Sequence, residues 1–164
     1  MLRFIKVILL VVFTNLTYAQ NTSSVDFVIK NLGVNVDGHF NTFSVIAIFD
    51  SENKLENITG VIEVNSIETG IDSRDEHLLK DDYFDTANHK NISLQSTSIS
   101  KKSDSEYSID ADLTIKGKTK QITIPVTVQS VGNNYKITSS FEMVVIASQS
   151  QLTIRRPLYM YPFL

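Results

Sequence analysis

Tyr107-Ser108-Ile109-Asp110-Ala111-Asp112-Leu113-Thr114-Ile115 is the stretch whose reading decides the fold class. Its apolar residues, Tyr107, Ile109, Ala111, Leu113 and Ile115, alternate without error with polar or charged ones. Successive side chains of a strand point to opposite faces, so this pattern predicts a strand with one dry and one wet face. Lys116-Gly117-Lys118 then turns the chain. Ile122, Ile124, Val126 and Val128 resume the inward parity while Thr123, Pro125, Thr127 and Gln129 face out. The pair is an antiparallel hairpin. Pro125 donates no backbone hydrogen bond, which predicts an unpaired site or an edge beside it.

Working outward from the hairpin, the remainder also reads mainly as strand. Gly132-Asn133-Asn134 is a turn, and Tyr135, Ile137, Phe141, Met143 and Val145 share one parity after it. Upstream, Lys101 to Glu106 is a charged connection preceded by a weaker strand from Ile92 to about Ile99. Ile58, Ile62 and Val64 share a face of another strand. Phe43 to Phe49 is a nearly continuous apolar run, expected to be covered on both sides over part of its length. The earliest strand is Val25 to Lys30, followed by a bend or bulge at Asn31-Leu32-Gly33 beyond which it continues through Val34 and Val36. The expected fold is all-β with one short helical insertion: an antiparallel barrel of about eight strands, preferred over a sandwich because closure removes exposed edges.

Gly70 to Asp85 alone does not read as strand or turn. Ser73 and Glu76 have the form of a capping box, which starts a helix near Arg74. Leu78, Leu79, Tyr83 and Phe84 give its broken continuation an apolar side. A single amphipathic helix in a sheet protein is expected to cover an opening.

Met1 to Ala19 carries Arg3 and Lys6 before an apolar run from Val7 to Phe13 and ends in Thr17-Tyr18-Ala19, the form of a secretory signal peptide. Its removal would leave 145 residues, enough for one domain, with 13 basic against 18 acidic groups. That balance excludes nucleic acid as a partner. The chain has no cysteine, hence neither disulfide nor lipid attachment through a lipobox, and the expected product is exported, periplasmic or extracellular, without a membrane anchor after cleavage.

The residues offer little chemistry. His39, His77 and His89 lie far apart, and with no cysteine a metal site is not expected. Asp81-Asp82 and the Asp110/Asp112 pair sit on wet surfaces, unlike the desolvated carboxylates of acid–base catalysis. There is no Gly-x-Ser-x-Gly elbow and no glycine-rich phosphate loop, so neither enzyme activity nor a cofactor is expected. Arg74, Asp75 and His77 are the candidates for polar contact with a ligand head group, an arginine fork suiting a phosphate or carboxylate. Alternatively, Arg74 and Asp75 fix the helix to the sheet rim. Phe27, Ile29, Ile62, Val64, Leu113, Ile115, Ile124, Val126 and Phe141 would line a lumen if the barrel is hollow and pack an ordinary core if it is not.

Several words of the sequence resemble the YceI-like family of secreted lipid- or polyisoprenoid-binding proteins. They are Phe27-Val28-Ile29-Lys30-Asn31-Leu32-Gly33 with Val36-Asp37-Gly38-His39-Phe40, then Ile67-Glu68-Thr69-Gly70-Ile71-Asp72-Ser73-Arg74-Asp75-Glu76-His77-Leu78 with Tyr83-Phe84-Asp85, then Leu113-Thr114-Ile115-Lys116-Gly117-Lys118-Thr119-Lys120. The resemblance implies a lipocalin-like barrel over 20–145 with a helical lid. It implies a polyisoprenoid or other long-chain lipid in the lumen, lined also by Phe40, Leu78, Leu79, Tyr83 and Phe84, and carriage in place of catalysis. It leaves homodimerisation open. The sequence departs from the family mildly at Asn91 and more strongly after Glu142, where 146–164 reads as an atypical tail, through divergence or a shifted reading frame. An enzyme acting on a lipid or amide, and a filled-barrel interaction domain of the envelope, are the alternatives.

Overall fold

The computed structural model describes residues 23–31, 34–132, 134–144 and 151–156; the expected signal peptide lies outside them. Ten strands follow in order: β1 (Val25–Asn31), β2 (Val34–Phe40), β3 (Phe43–Phe49), β4 (Leu55–Glu63), β5 (Ile67–Glu68), β6 (Asn91–Lys101), β7 (Glu106–Ile115), β8 (Lys118–Val131), β9 (Asn134–Val144) and β10 (Gln151–Arg156). A helix, α1 (Asp72–Leu78), lies between β5 and β6.

All strand pairs are antiparallel, in the order β3-β4-β6-β7-β8-β9-β10-β1-β2-β5. The two ends of that order meet. β2 runs into β3 through Asn41-Thr42, and β4 runs into β5 through the 3₁₀ turn Val64–Ser66. Phe40 pairs with Ile67 and Phe43 with Ile62. Between those rungs the Asn41 N–H donates to the Ser66 carbonyl and the Glu63 N–H to the Thr42 carbonyl, each at 3.0 Å. The two bent strands therefore form one continuous ladder, and the sheet curls back on itself with eight strand positions, as in a small barrel.

The β7–β8 hairpin follows its sequence pattern. All five apolar residues of β7 are buried, Ile109 and Ala111 completely at 0% exposure. Lys116 and Gly117 both take positive φ, 50° and 67°, the form of a two-residue type I′ turn whose twist matches the flanking strands. The β8–β9 ladder stops at Val126↔Ser139, next to Pro125, as a missing backbone donor requires. The Ser139 hydroxyl instead donates to the Pro125 carbonyl at 2.7 Å.

Elsewhere the structure corrects the pattern. β1 and β2 pair antiparallel down to Asn31↔Val34, so the chain reverses there instead of continuing through a bulge. The bend falls later, at Asn41-Thr42. β3 is not covered on both faces: Phe43, Val45, Ala47 and Phe49 are half-buried, while Ile46 and Ile48 are 60% and 51% exposed. A continuous apolar run carries no parity, and β3 spends only one face on the core. The expected boundary at 145 does not end the sheet, because β10, inside the supposed tail, pairs with β9 through Ile154↔Phe141 and with β1 through Phe27↔Ile154.

The interior holds two apolar clusters. One, toward α1, contains Val25, Phe27, Phe40, Val64, Ile67, Leu78, Phe84, Ile92, Leu113 and Ile115. The other contains Leu55, Ile58, Tyr107, Ile109, Ala111, Ile124, Val126, Val128 and Ile137. At its far end Phe49 stacks on Tyr135 with centroids 4.1 Å apart, and the Tyr135 hydroxyl donates to Asn53 Oδ1 at 2.8 Å.

Candidate functional site: an apolar barrel interior under a helical lid

The lid spans the end of the ring where β5 leaves it. α1 begins two residues earlier than the capping box predicts, and its N-cap, Ile71, is extended and offers no side-chain bond. Asp75 explains the difference. Its carboxylate accepts from the Thr69 N–H at 3.0 and 3.2 Å and also from the Thr69 hydroxyl. Arg74 holds the same residue, Nε donating to Thr69 Oγ1 at 2.7 Å and Nη2 to the Thr69 carbonyl at 2.5 Å. Arg74 and Asp75 thus clamp the first turn of the lid to the end of β5.

The other end of the lid is held by the β7–β8 turn. Lys116 Nζ donates to the Asp81 carbonyl, and the His89 ring lies on Gly117, where a Cβ would come within 2.6 Å of Cε1. The Val64 N–H donates to the Lys90 carbonyl at 2.9 Å, returning the chain to the ring. His77 stays on the outside, 3.5 Å from Asp82 and edge-on to Tyr83.

Between these fixings the lid buries Leu78 and Phe84 and half-buries Leu79 and Tyr83. Phe84 meets Phe40 edge-on at 6.3 Å, and Phe40 meets Phe27 at 5.0 Å. The Phe27 ring lies over Gly38, its cross-strand partner, so a glycine makes room for the largest fully buried side chain.

Of the candidate lumen residues, Phe27, Phe40, Val64, Leu78, Phe84, Leu113, Ile115, Ile124 and Val126 are buried. Ile62, Leu79, Tyr83 and Phe141 are partly buried against the clusters. Ile29 pairs with Val36, but its side chain lies outside the described set. Pattern reading missed Phe43, Val45 and Leu94, and it left Ile122, whose inward parity it gave correctly, out of the lumen wall. All four point inward yet keep accessible surface. Parity along β3 and pairing across β4 and β6 would have found the first three.

Asp75→Ala is expected to lower stability by about 1–2 kcal/mol, since it strands the part-buried Thr69 donors. A lower urea midpoint, with faster hydrogen exchange at Thr69, checks it.

Among the described residues no group of histidine and acidic side chains could hold a metal ion, and no helix is long and apolar enough to cross a membrane. The YceI-like domain model matches residues 16–160. The chain belongs to the YceI-like domain family. Its relatives include a UPF0312 protein of Vibrio parahaemolyticus, 30% identical over 68% of this chain and 60% of that protein. Another from Yersinia pestis is 32% identical over 67% of this chain and 58% of its own length. This YceI-like chain thus aligns with about three fifths of each of them.

Among solved structures, Burkholderia cenocepacia BcnA superposes with a TM-score of 0.75 at 24% identity, covering 84% of this chain and 96% of BcnA. A polyisoprenoid binding domain from Saccharophagus degradans superposes at 0.63 with 18% identity, covering 85% and 94%. At those identities the likeness establishes the fold of this YceI-like chain: an antiparallel barrel with one helix.

Proposed function

We propose that this protein is an exported carrier that holds one long apolar chain, a polyisoprenoid or similar lipid, inside the ring beneath the lid. The observation that carries the reading is the set of inward-facing apolar side chains that keep accessible surface: Phe43, Val45, Ile62, Leu94, Ile122 and Phe141. In a close-packed core such positions are covered; incomplete cover on inward-facing apolar side chains is what a wall facing an apolar guest would show. Ligand pockets are typically lined in this way, with few polar groups. The polyisoprenoid binding named for the Saccharophagus degradans domain supports the same ligand class.

An apolar wall suits sequestration, where the driving force is removal of hydrocarbon from water, at roughly 25 cal/mol per Å². It supplies no general acid or base, which is why carriage is preferred to turnover of the same lipid. Phe27, Phe40, Leu78, Phe84, Leu113, Ile115, Ile124 and Val126 form the deeper walls in this reading. Arg74 and Asp75 act on a ligand only through the lid they hold down. Export follows from the signal-like segment ending at Ala19.

Protein purified from an exporting host is expected to begin at Gln20 and to carry about one extractable long-chain lipid per chain by native mass spectrometry. Protein that is ligand-free from that host, and that takes up no isoprenol offered to it, would sink the proposal.

A further inference from the structure

Glycine inside a strand lowers stability relative to alanine, so a mid-strand glycine calls for a reason. Gly70, Gly117 and Gly132 have φ of 81°, 67° and 62°, and Gly38 lies beneath the Phe27 ring. Gly60 has neither excuse. It sits mid-strand in β4 with no positive φ, and an added Cβ would meet only ordinary contacts, 3.9 Å from Leu94 Cβ and Val45 Cγ2.

Its position is informative. Gly60 pairs directly with Val45 on β3 and Leu94 on β6, both of which pack into the interior, so the missing side chain belongs to the inner wall. Among the described residues, Leu94 and Ile122 pack against both apolar clusters, which puts Gly60 at the junction between the lid end and the far end. Its partners Val45 and Leu94 are only half-buried.

We infer that Gly60 sets the length of the guest chain: it keeps the passage between the two apolar clusters open, so that a long isoprenoid threads from the lid end into the far end. This rests on the carrier reading and adds a specificity determinant to it. A β-branched side chain at 60 suits a strand and would project into the passage. Gly60→Val should therefore stabilise the ring while shortening what it accepts, a combination that a purely structural glycine would not give.

The test is binding of geraniol, farnesol, geranylgeraniol and solanesol to the full mature chain and to Gly60→Ala and Gly60→Val, followed by native mass spectrometry, with thermal unfolding of each ligand-free protein. The parent should bind progressively more tightly along the series. Gly60→Val should match the parent for geraniol within about twofold, lose at least about tenfold for solanesol, and unfold at an equal or higher temperature, with Gly60→Ala between them. Unchanged chain-length dependence in Gly60→Val overturns the inference and leaves the carrier reading standing, as does a lowered unfolding temperature in both variants. A parent that binds none of the four overturns the carrier reading and the inference together.

Discussion

Phe27→Ala is expected to be the most damaging single truncation in the molecule, costing about 3–5 kcal/mol. Phe27 is 1% exposed, pairs across the sheet with Gly38 and Ile154, and packs its ring on Phe40. Removing it opens a void beneath the lid that neither rigid neighbouring strand can collapse to fill. The glycine beneath it supplies the control. A Cβ at Gly38 would stand 2.5 Å from Phe27 Cζ and 2.9 Å from Thr69 Cγ2, so Gly38→Ala should cost about 1–3 kcal/mol in the native background through overpacking. In the Phe27→Ala background the larger of those clashes is gone, and the same substitution should cost much less. A double-mutant cycle in urea reads that coupling directly; additive penalties would mean that the ring does not depend on the glycine.

Phe84→Ala comes second, with an expected loss of about 3–4 kcal/mol. Its effect should be local. Phe84 joins the lid to the ring through the edge of Phe40, while the lid's two ends are held by polar contacts at Thr69 and Asp81. Losing the apolar anchor should speed hydrogen exchange at Phe84 and Thr86, whose N–H groups donate to Leu78 and Leu79 carbonyls, by about a hundredfold. Ile109 and Leu113 in β7 should keep most of their protection. A uniform loss across lid and ring would instead show that the two unfold as one unit.

The β7–β8 hairpin was legible in the sequence because each of its strands has one wet face, and only a wet face gives apolar residues a parity to keep. β3 lacked that contrast. Ile46 and Ile48 are as apolar as Val45 and Ala47, and the side each takes is decided by β4, not by their own chemistry. The lid was recognisable as a helix, but its start was not. Ser73 and Glu76 spelled a cap, yet Asp75 reaches back past the helix to Thr69, a contact made possible by where β5 ends. β10 was missed because its partners are remote. Gly60 was invisible for a simpler reason: a glycine carries no polarity, so its place on the inner wall appears only once its neighbours on both sides are known.

The pairing of Phe27 with Ile154 also fixes when the ring can be completed. The β7–β8 hairpin needs only neighbouring residues and can form within microseconds of their becoming available. β1, by contrast, must meet β10, a strand far from it in sequence, and closing so long a loop costs more chain entropy. Until then its outer edge has only the β2 side satisfied. Loop-closure entropy thus places the β1–β10 join after the β7–β8 hairpin in the order of assembly, and the edge left open until then is the one a misfolded pairing could use.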